Sequence, residues 1–348
     1  MDFRRGNPFK RRGARSSSSK FGLVLFLLIS FSFSAQCQDA EALHQQLTFS
    51  CDNNFFLFNG DDGYYTNGLF LKYSRLSRKQ DIPSSKIIFS YEVGQQIFNA
   101  HSRKILPVGI PSLNIPGGVE QIDRPVAGYL FGKVTRTSFH NDRRMLQLGI
   151  SVGTIGKNSL GEAVQEFWHR VINVKSYWNW VWDYQVSNEV GINAQGTFAY
   201  ALLKREQLPY VQITPISQAT LGTTFTNLSQ SVLFQIGRLR PMSSSSFWQS
   251  RLQFANDPLD TRKVEFFFFY KPELQYHVYN ATIQGGMFSH DDVQITSDVK
   301  PFVLSHQIGV QFSIPRFSLG YSVTFQSKEA QTQFYNQSYA SLVGSFCF

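Results

Sequence analysis

Cysteine is scarce in this chain of 348 residues, with three in all, and charged residues make up only 16%. Cys37, Cys51 and Cys347 lie far apart, and no two have the spacing of a zinc or redox pair, which excludes a thiolate metal centre and a disulfide scaffold. Their neighbours set Cys51 on an apolar strand face and Cys347 on a polar one, so a bridge between them is disfavoured. No Walker, Rossmann or zinc string stands in a supporting context. Past the N-terminal region, no apolar run approaches the roughly 18 residues of a membrane-spanning helix. Excess basic charge is missing too, once its position is considered. Of the 33 basic and 24 acidic residues, seven and one fall before position 21, and residues 37–348 carry 26 and 23, a net charge of +3. No basic stripe is left to hold nucleic acid.

What is present begins with a leader. The basic residues 1–20 precede the apolar run Phe21 to Ala35, FGLVLFLLISFSFSA, which ends in small residues. A basic n-region followed by a short apolar h-region predicts a secretory signal peptide over residues 1–36, removed to leave 37–348 as a single domain. The alternative is an uncleaved anchor. Ser34-Ala35-Gln36 makes a poor lipoprotein box ahead of Cys37, so lipidation is not expected.

The remainder alternates with a period of two. Leu146, Leu148, Ile150 and Val152 interleave with Gln147, Gly149, Ser151 and Gly153, and Phe317, Leu319, Tyr321, Val323 and Phe325 with Ser318, Gly320, Ser322 and Thr324. One face apolar and nearly free of charge, the other small and polar, is what a barrel wall in lipid requires. About twelve such runs predict a transmembrane antiparallel β-barrel, an even number suiting a closed bacterial barrel. A secreted β-sandwich would also alternate. Connections are mostly short after even strands and often long after odd ones, which places both termini in the periplasm. Residues 241–262 break that rule, with a plug or an extended hairpin as the options.

Two stretches carry chemistry. In the first, residues 50–76, an Asp/Asn/Gly-rich turn joins two strands. Asp52-Asn53-Asn54 precedes it and Tyr64-Tyr65-Thr66-Asn67-Gly68 follows. The plain reading is a polar strand rim. In the second, residues 152–190, the period changes to three or four. Leu160, Val164, Phe167 or Trp168, and Val171 share one side, and Glu162, Gln165 or Glu166, and His169 the other, predicting a short helix on an outside loop. Its apolar side is expected against the barrel wall, with His169 turned toward Asn53 and Thr66; alone, His169 reads as an exposed helical histidine.

Both stretches resemble the bacterial outer-membrane lipid A 3′-O-deacylase (LpxR) family. DNNFF and YYTNG match its opening signature. Val152 to Gly156, Gly161-Glu162, Val164-Gln165, His169-Arg170, Trp182-Asp183, Gln185 and Asn188-Glu189 match its second block. The resemblance implies an outer-membrane ester hydrolase acting on lipopolysaccharide, with His169 as the general base and Asn53 and Thr66 stabilising the oxyanion. It further implies Gln165 and Tyr65 as substrate contacts and calcium held by Asn54 and Asp62. Two positions depart from the family: Asn54 stands where it has Asp, and Lys175 where it has Glu, which removes charge from the calcium ligands. The aromatic C-terminal strand ending on Phe348 resembles the signal read by the barrel-assembly machinery, and a monomer is expected.

Other readings stay open: an outer-membrane phospholipase, or a non-catalytic pore or binding barrel. The string Gly149-Ile150-Ser151-Val152-Gly153 has the form G-x-S-x-G. It lies inside an alternating strand rather than on a strand-to-helix turn, so Ser151 is not expected to be a nucleophile.

Overall fold

A computed structural model describes residues 43–57, 63–77, 85–101, 122–172, 179–204, 206–253, 264–289 and 294–348. The leader, Asp62 and Lys175 therefore lie outside the described residues. Twelve antiparallel strands close into one barrel: β1 (Gln45–Asn53), β2 (Tyr64–Leu76), β3 (Ser85–Asn99), β4 (Ala127–His140), β5 (Arg144–Ile155), β6 (Glu189–Tyr200), β7 (Val211–Gly222), β8 (Phe225–Arg238), β9 (Glu265–Asn280), β10 (Phe302–Ser313), β11 (Phe317–Gln326) and β12 (Gln337–Cys347). Each pairs with its sequence neighbours, and β1 closes the ring against β12, with Phe49 opposite Gly344. Closure leaves no unpaired edge, the condition for strands in lipid.

Alternation sorts the two faces as expected. Leu71, Val93, Val134, Leu148, Ile150, Phe268 and Leu319 are exposed on the outside. Inside, charge is paired: Lys72 meets Glu92 at 3.2 Å and Lys271 meets Glu273 at 3.3 Å. Cys51 and Cys347 are both free thiols. Ser151 is turned inward, where it accepts a hydrogen bond from Asn193 Nδ2. The link between β7 and β8 is only Thr223 and Thr224.

The excursion after β8 is a plug. Met242 and Leu252 join Leu43, Phe139, Leu233, Phe267 and Cys347 in one buried cluster inside the barrel, with Phe247 and Trp248 packed against it. Polar groups fix the segment from several strands. Lys86 Nζ donates to the carbonyls of Ser243 and Ser250, each at 2.7 Å. The fully buried Glu265 carboxylate accepts from Ser245 Oγ, Ser246 N and Oγ, and Ser313 Oγ. At the opposite end the loops interlock across the mouth. Arg124, fully buried, meets Glu329 at 2.8 Å and lies 4.2 Å above the Phe98 ring. Below it, Tyr65, Phe98, Tyr129, Phe131, Phe225, Tyr279 and Tyr339 fill the lumen. Among the described residues, both ends of the lumen thus hold packed side chains.

Candidate active site

The hairpin that led the sequence reading puts its polar residues on two sides of the wall. Asn53 ends β1 on the outward face with Leu47 and Phe49, opposite Asn67 of β2. Its Oδ1 accepts from Phe55 N at 2.7 Å, which fixes the amide at the turn. Asn54, buried, opens the short 3-10 turn Asn54–Leu57.

β2 is irregular at the next site residue. Tyr65 pairs with Phe98 and Asn67 with Ile97, so Thr66 is the extra residue of a bulge. Bulges bend a strand and re-aim a side chain, and they gather beside active sites. Here the bulge turns Thr66 to the outer face, where its Oγ1 accepts from Asn99 Nδ2 at 3.2 Å and donates weakly to the Ile97 carbonyl at 3.4 Å. Tyr65, one residue earlier, points inward. Its hydroxyl donates to Asp52 Oδ2 at 2.8 Å, and its ring packs on Phe98 and Tyr339. Tyr65, expected as a substrate contact, thus packs on the lumen side of the wall, across from Thr66.

Helix α1 (Gly161–Ile172) rides on the outside of the same corner. Gly128 faces outward from β4, and a side chain there would collide with Ser159 and approach the Gly161 Cα, so two glycines allow the β5–β6 loop to lie flat on the wall. Gln95, on the outer face of β3, donates to the Ser159 carbonyl at 2.6 Å. The outward Ile97 is buried with Val181 and Trp182, and Val164 of α1 packs on that cluster. Trp182 Nε1 donates to Gln165 Oε1 at 2.9 Å. His169 stands one turn beyond Gln165 and is half-buried. A continuous path thus runs from Thr66 through Ile97 and Trp182 to the helix that carries His169. Thr66 and the helix that carries Gln165 and His169 are thereby linked over the outer faces of β2 to β4, and Asn53 stands on the neighbouring strand β1, paired with Asn67.

The helix packs differently from the expectation. Gly161, Val164 and Gln165 face the wall, whereas Leu160 and Phe167 are each 56% exposed, Val171 49% and Trp168 36%. On another side, burial first and then the carboxylates of Glu166 and Asp183 raise the pKa of Glu162.

Calcium needs oxygen ligands, usually with carboxylates among them. The outer cluster offers the amide and hydroxyl oxygens of Asn53, Asn67, Asn99 and Thr66, while Asp52 is committed to Tyr65. Among the described residues no three His, Cys, Asp or Glu side chains gather as metal ligands. Those residues therefore do not by themselves make a calcium site. Asn99 is the residue that sequence reasoning missed; its place at the end of an alternating strand gave no sign that it meets Thr66.

The family profile for the outer membrane protein LpxR matches residues 23–348. Among solved structures, LpxR from Salmonella typhimurium is similar in fold, with a TM-score of 0.66 and 21% identity over 87% of this chain and 100% of that one. The KdgM porin overlays at a TM-score of 0.37 and 6% identity, covering 87% of this chain and 99% of that one. The β domain of the Bordetella autotransporter BrkA overlays at 0.44 and 7%, covering 88% and 99%. A comparison with curated protein sequences finds no match.

Proposed function

This chain belongs to the family of the outer membrane protein LpxR, and we propose that it is an esterase of the outer leaflet that removes 3′-linked acyl chains from lipid A. The observation that supports the proposal is the Thr66 bulge: the buried Thr66 hydroxyl meets Asn99 of β3 and stands next in the chain to Asn67, the partner of Asn53. An ester at the membrane surface meets that side of the wall with its acyl chain still in the bilayer.

In the proposed reaction His169 takes a proton from water as the water oxygen attacks the ester carbonyl. The tetrahedral oxyanion accepts hydrogen bonds from Asn53 Nδ2 and Thr66 Oγ1. Both donors are oriented in advance, Asn53 by Phe55 N and Thr66 by Asn99. The imidazolium then returns its proton to the sugar oxygen as the carbon–oxygen bond breaks, giving a free fatty acid and a hydroxyl. Gln165 steadies the helix through Trp182. Calcium, which the family resemblance implies, would have to draw on residues beyond the described set.

Mass spectrometry of lipid A from a host producing the protein tests the reading. The expected result is loss of the mass of the 3′-linked acyl chains, absent with His169→Ala. Unchanged lipid A with the parental protein, or equal release by the variant, overturns it. The side chains packed at both ends of the lumen among the described residues speak against the pore alternative, and assaying lipid A and phospholipid side by side, with and without chelator, separates the phospholipase alternative.

A further inference from the structure

Helix α1 has a polar side, with Glu162, Glu166 and His169, and an apolar side whose surroundings change along its length. In the first turns Gly161, Val164 and Gln165 are packed on the wall. Beyond them Phe167 and Val171, with Trp168 beside them, continue the line of Val164 but are uncovered, and Leu160 lies exposed just before the helix N-terminus. Phe167 and Trp168 meet edge to face at 5.8 Å, so they form one apolar surface. Four large apolar side chains together on an exposed helix edge mark an interaction surface.

The position of the edge identifies what covers it. The loop lies on the lipid side of β4, because Gly128, against which Ser159 and Gly161 pack, has the parity of the exposed Val134. The strand leading into the loop shows Val152 to the outside at 52% exposure, and the strand leaving it shows Val190 and Ile192 at 69% and 54%. Val152 lies three residues before the end of β5, about 10 Å of strand. The apolar edge thus continues the lipid-facing band of an outer membrane barrel, with exposures like those of the wall itself, such as 51% at Leu148. An amphipathic helix with Trp, Phe and Leu on one side and charge on another lies in a membrane interface with its apolar side among the acyl chains.

We propose that α1 is an interfacial lipid-binding helix, with Leu160, Phe167, Trp168 and Val171 seated among the acyl chains of the outer leaflet. The helix then works as a float. Its packed first turns fix its position along the barrel, its uncovered apolar residues fix its depth, and its polar side stays in water. This lipid seat does not depend on the proposed esterase activity.

The test uses the full-length barrel in phospholipid vesicles, with Cys37→Ser, Cys51→Ala and Cys347→Ser as background. Single cysteines at Phe167→Cys, Val171→Cys and Glu166→Cys carry an environment-sensitive fluorophore. Ile150→Cys, on the lipid-facing wall, and Leu208→Cys, in the exposed β6–β7 connection, serve as references. With lipids spin-labelled high on the acyl chain, labels at 167 and 171 are expected to lose at least half as much emission as the label at 150. The label at 166 is expected to follow 208 and lose less than a fifth. Heat-modifiable migration verifies the barrel in every sample. Labels at 167 and 171 that behave like 208 overturn the proposal, as does equal quenching at 166, which would bury the whole helix. Unquenched labels in a protein that cross-links as a dimer would assign the edge to a second copy instead and equally overturn it.

Discussion

At one end of the barrel, a loop turns its apolar side chains, Met242, Phe247, Trp248 and Leu252, into the lumen. At the other, the β5–β6 loop leaves Leu160, Phe167, Trp168 and Val171 outside. The two segments are attached to the same sheet and both are rich in aromatics, so apolar content does not decide which way they fold. Polar partners and space do. The plug brings serines that the inward Glu265 carboxylate accepts, and carbonyls that Lys86 reaches. The other loop meets Gly128 and Gly161, where the absence of side chains opens the outer face. In water an uncovered apolar edge would be costly. In the outer membrane, lipid offers a second apolar surface, and the candidate chemistry stands beside it rather than along a channel.

If the outer corner alone is catalytic, damage at the two ends must separate. His169→Ala is expected to lower acyl release by about 10²–10⁴-fold, the range for loss of a general base, with unchanged heat-modifiable migration. Replacing Met242 to Ser250 with a Gly/Ser linker removes side chains from the buried cluster at the plug end and is expected to lower the temperature of heat-modifiable migration, with acyl release by the folded barrel within about threefold of the parent. Release lost from a plug-less barrel that is still folded would break the division between the ends.

A finer separation lies between adjacent residues. Thr66→Val, which removes a proposed oxyanion donor, is expected to cost about 10²-fold in rate. Tyr65→Phe is expected to leave the rate within about threefold. It instead lowers barrel stability by about 1.5–3 kcal/mol, since a hydrogen bond to the buried Asp52 is lost. A large rate loss with Tyr65→Phe would put the reacting group on the wrong side of the wall.

The same pair shows where sequence reading reaches its limit. Twelve strands and their faces were legible because lipid on one side and packed polar groups on the other enforce a period of two, residue after residue. A bulge breaks that period by one, and nothing in Tyr64-Tyr65-Thr66-Asn67 announces which residue is the extra one; the partner strand, through Ile97 and Asn99, decides it. The helix was legible from its period, but its buried side was not. The usual rule sends the apolar side to the protein, and here glycine contacts take the wall while lipid is available to the apolar edge. The plug was illegible for a third reason. Its serines have no periodicity, and they acquire meaning only through Glu265 and Lys86 on distant strands.

The smallest expected effect concerns the water side of α1 and works through charge. Burial and the neighbouring Glu166 and Asp183 carboxylates raise the pKa of Glu162 in the folded protein, with Lys157 acting against them. The folded state therefore holds this proton more tightly than the unfolded chain, and ionising Glu162 loosens the helix. That penalty is complete above the raised folded value and disappears as pH falls toward the ordinary value of 4.5. Because the group is mostly in water, screening keeps the effect small. Hydrogen exchange of the α1 amides, corrected for intrinsic rates, is expected to show slightly greater protection at pH 5 than at pH 7.5. The amides of residues 242–250, in the plug, supply the internal reference. Glu162→Gln should equalise α1 protection at the two pH values, whereas an undiminished difference in that variant would mean that another group governs how the helix sits on the wall.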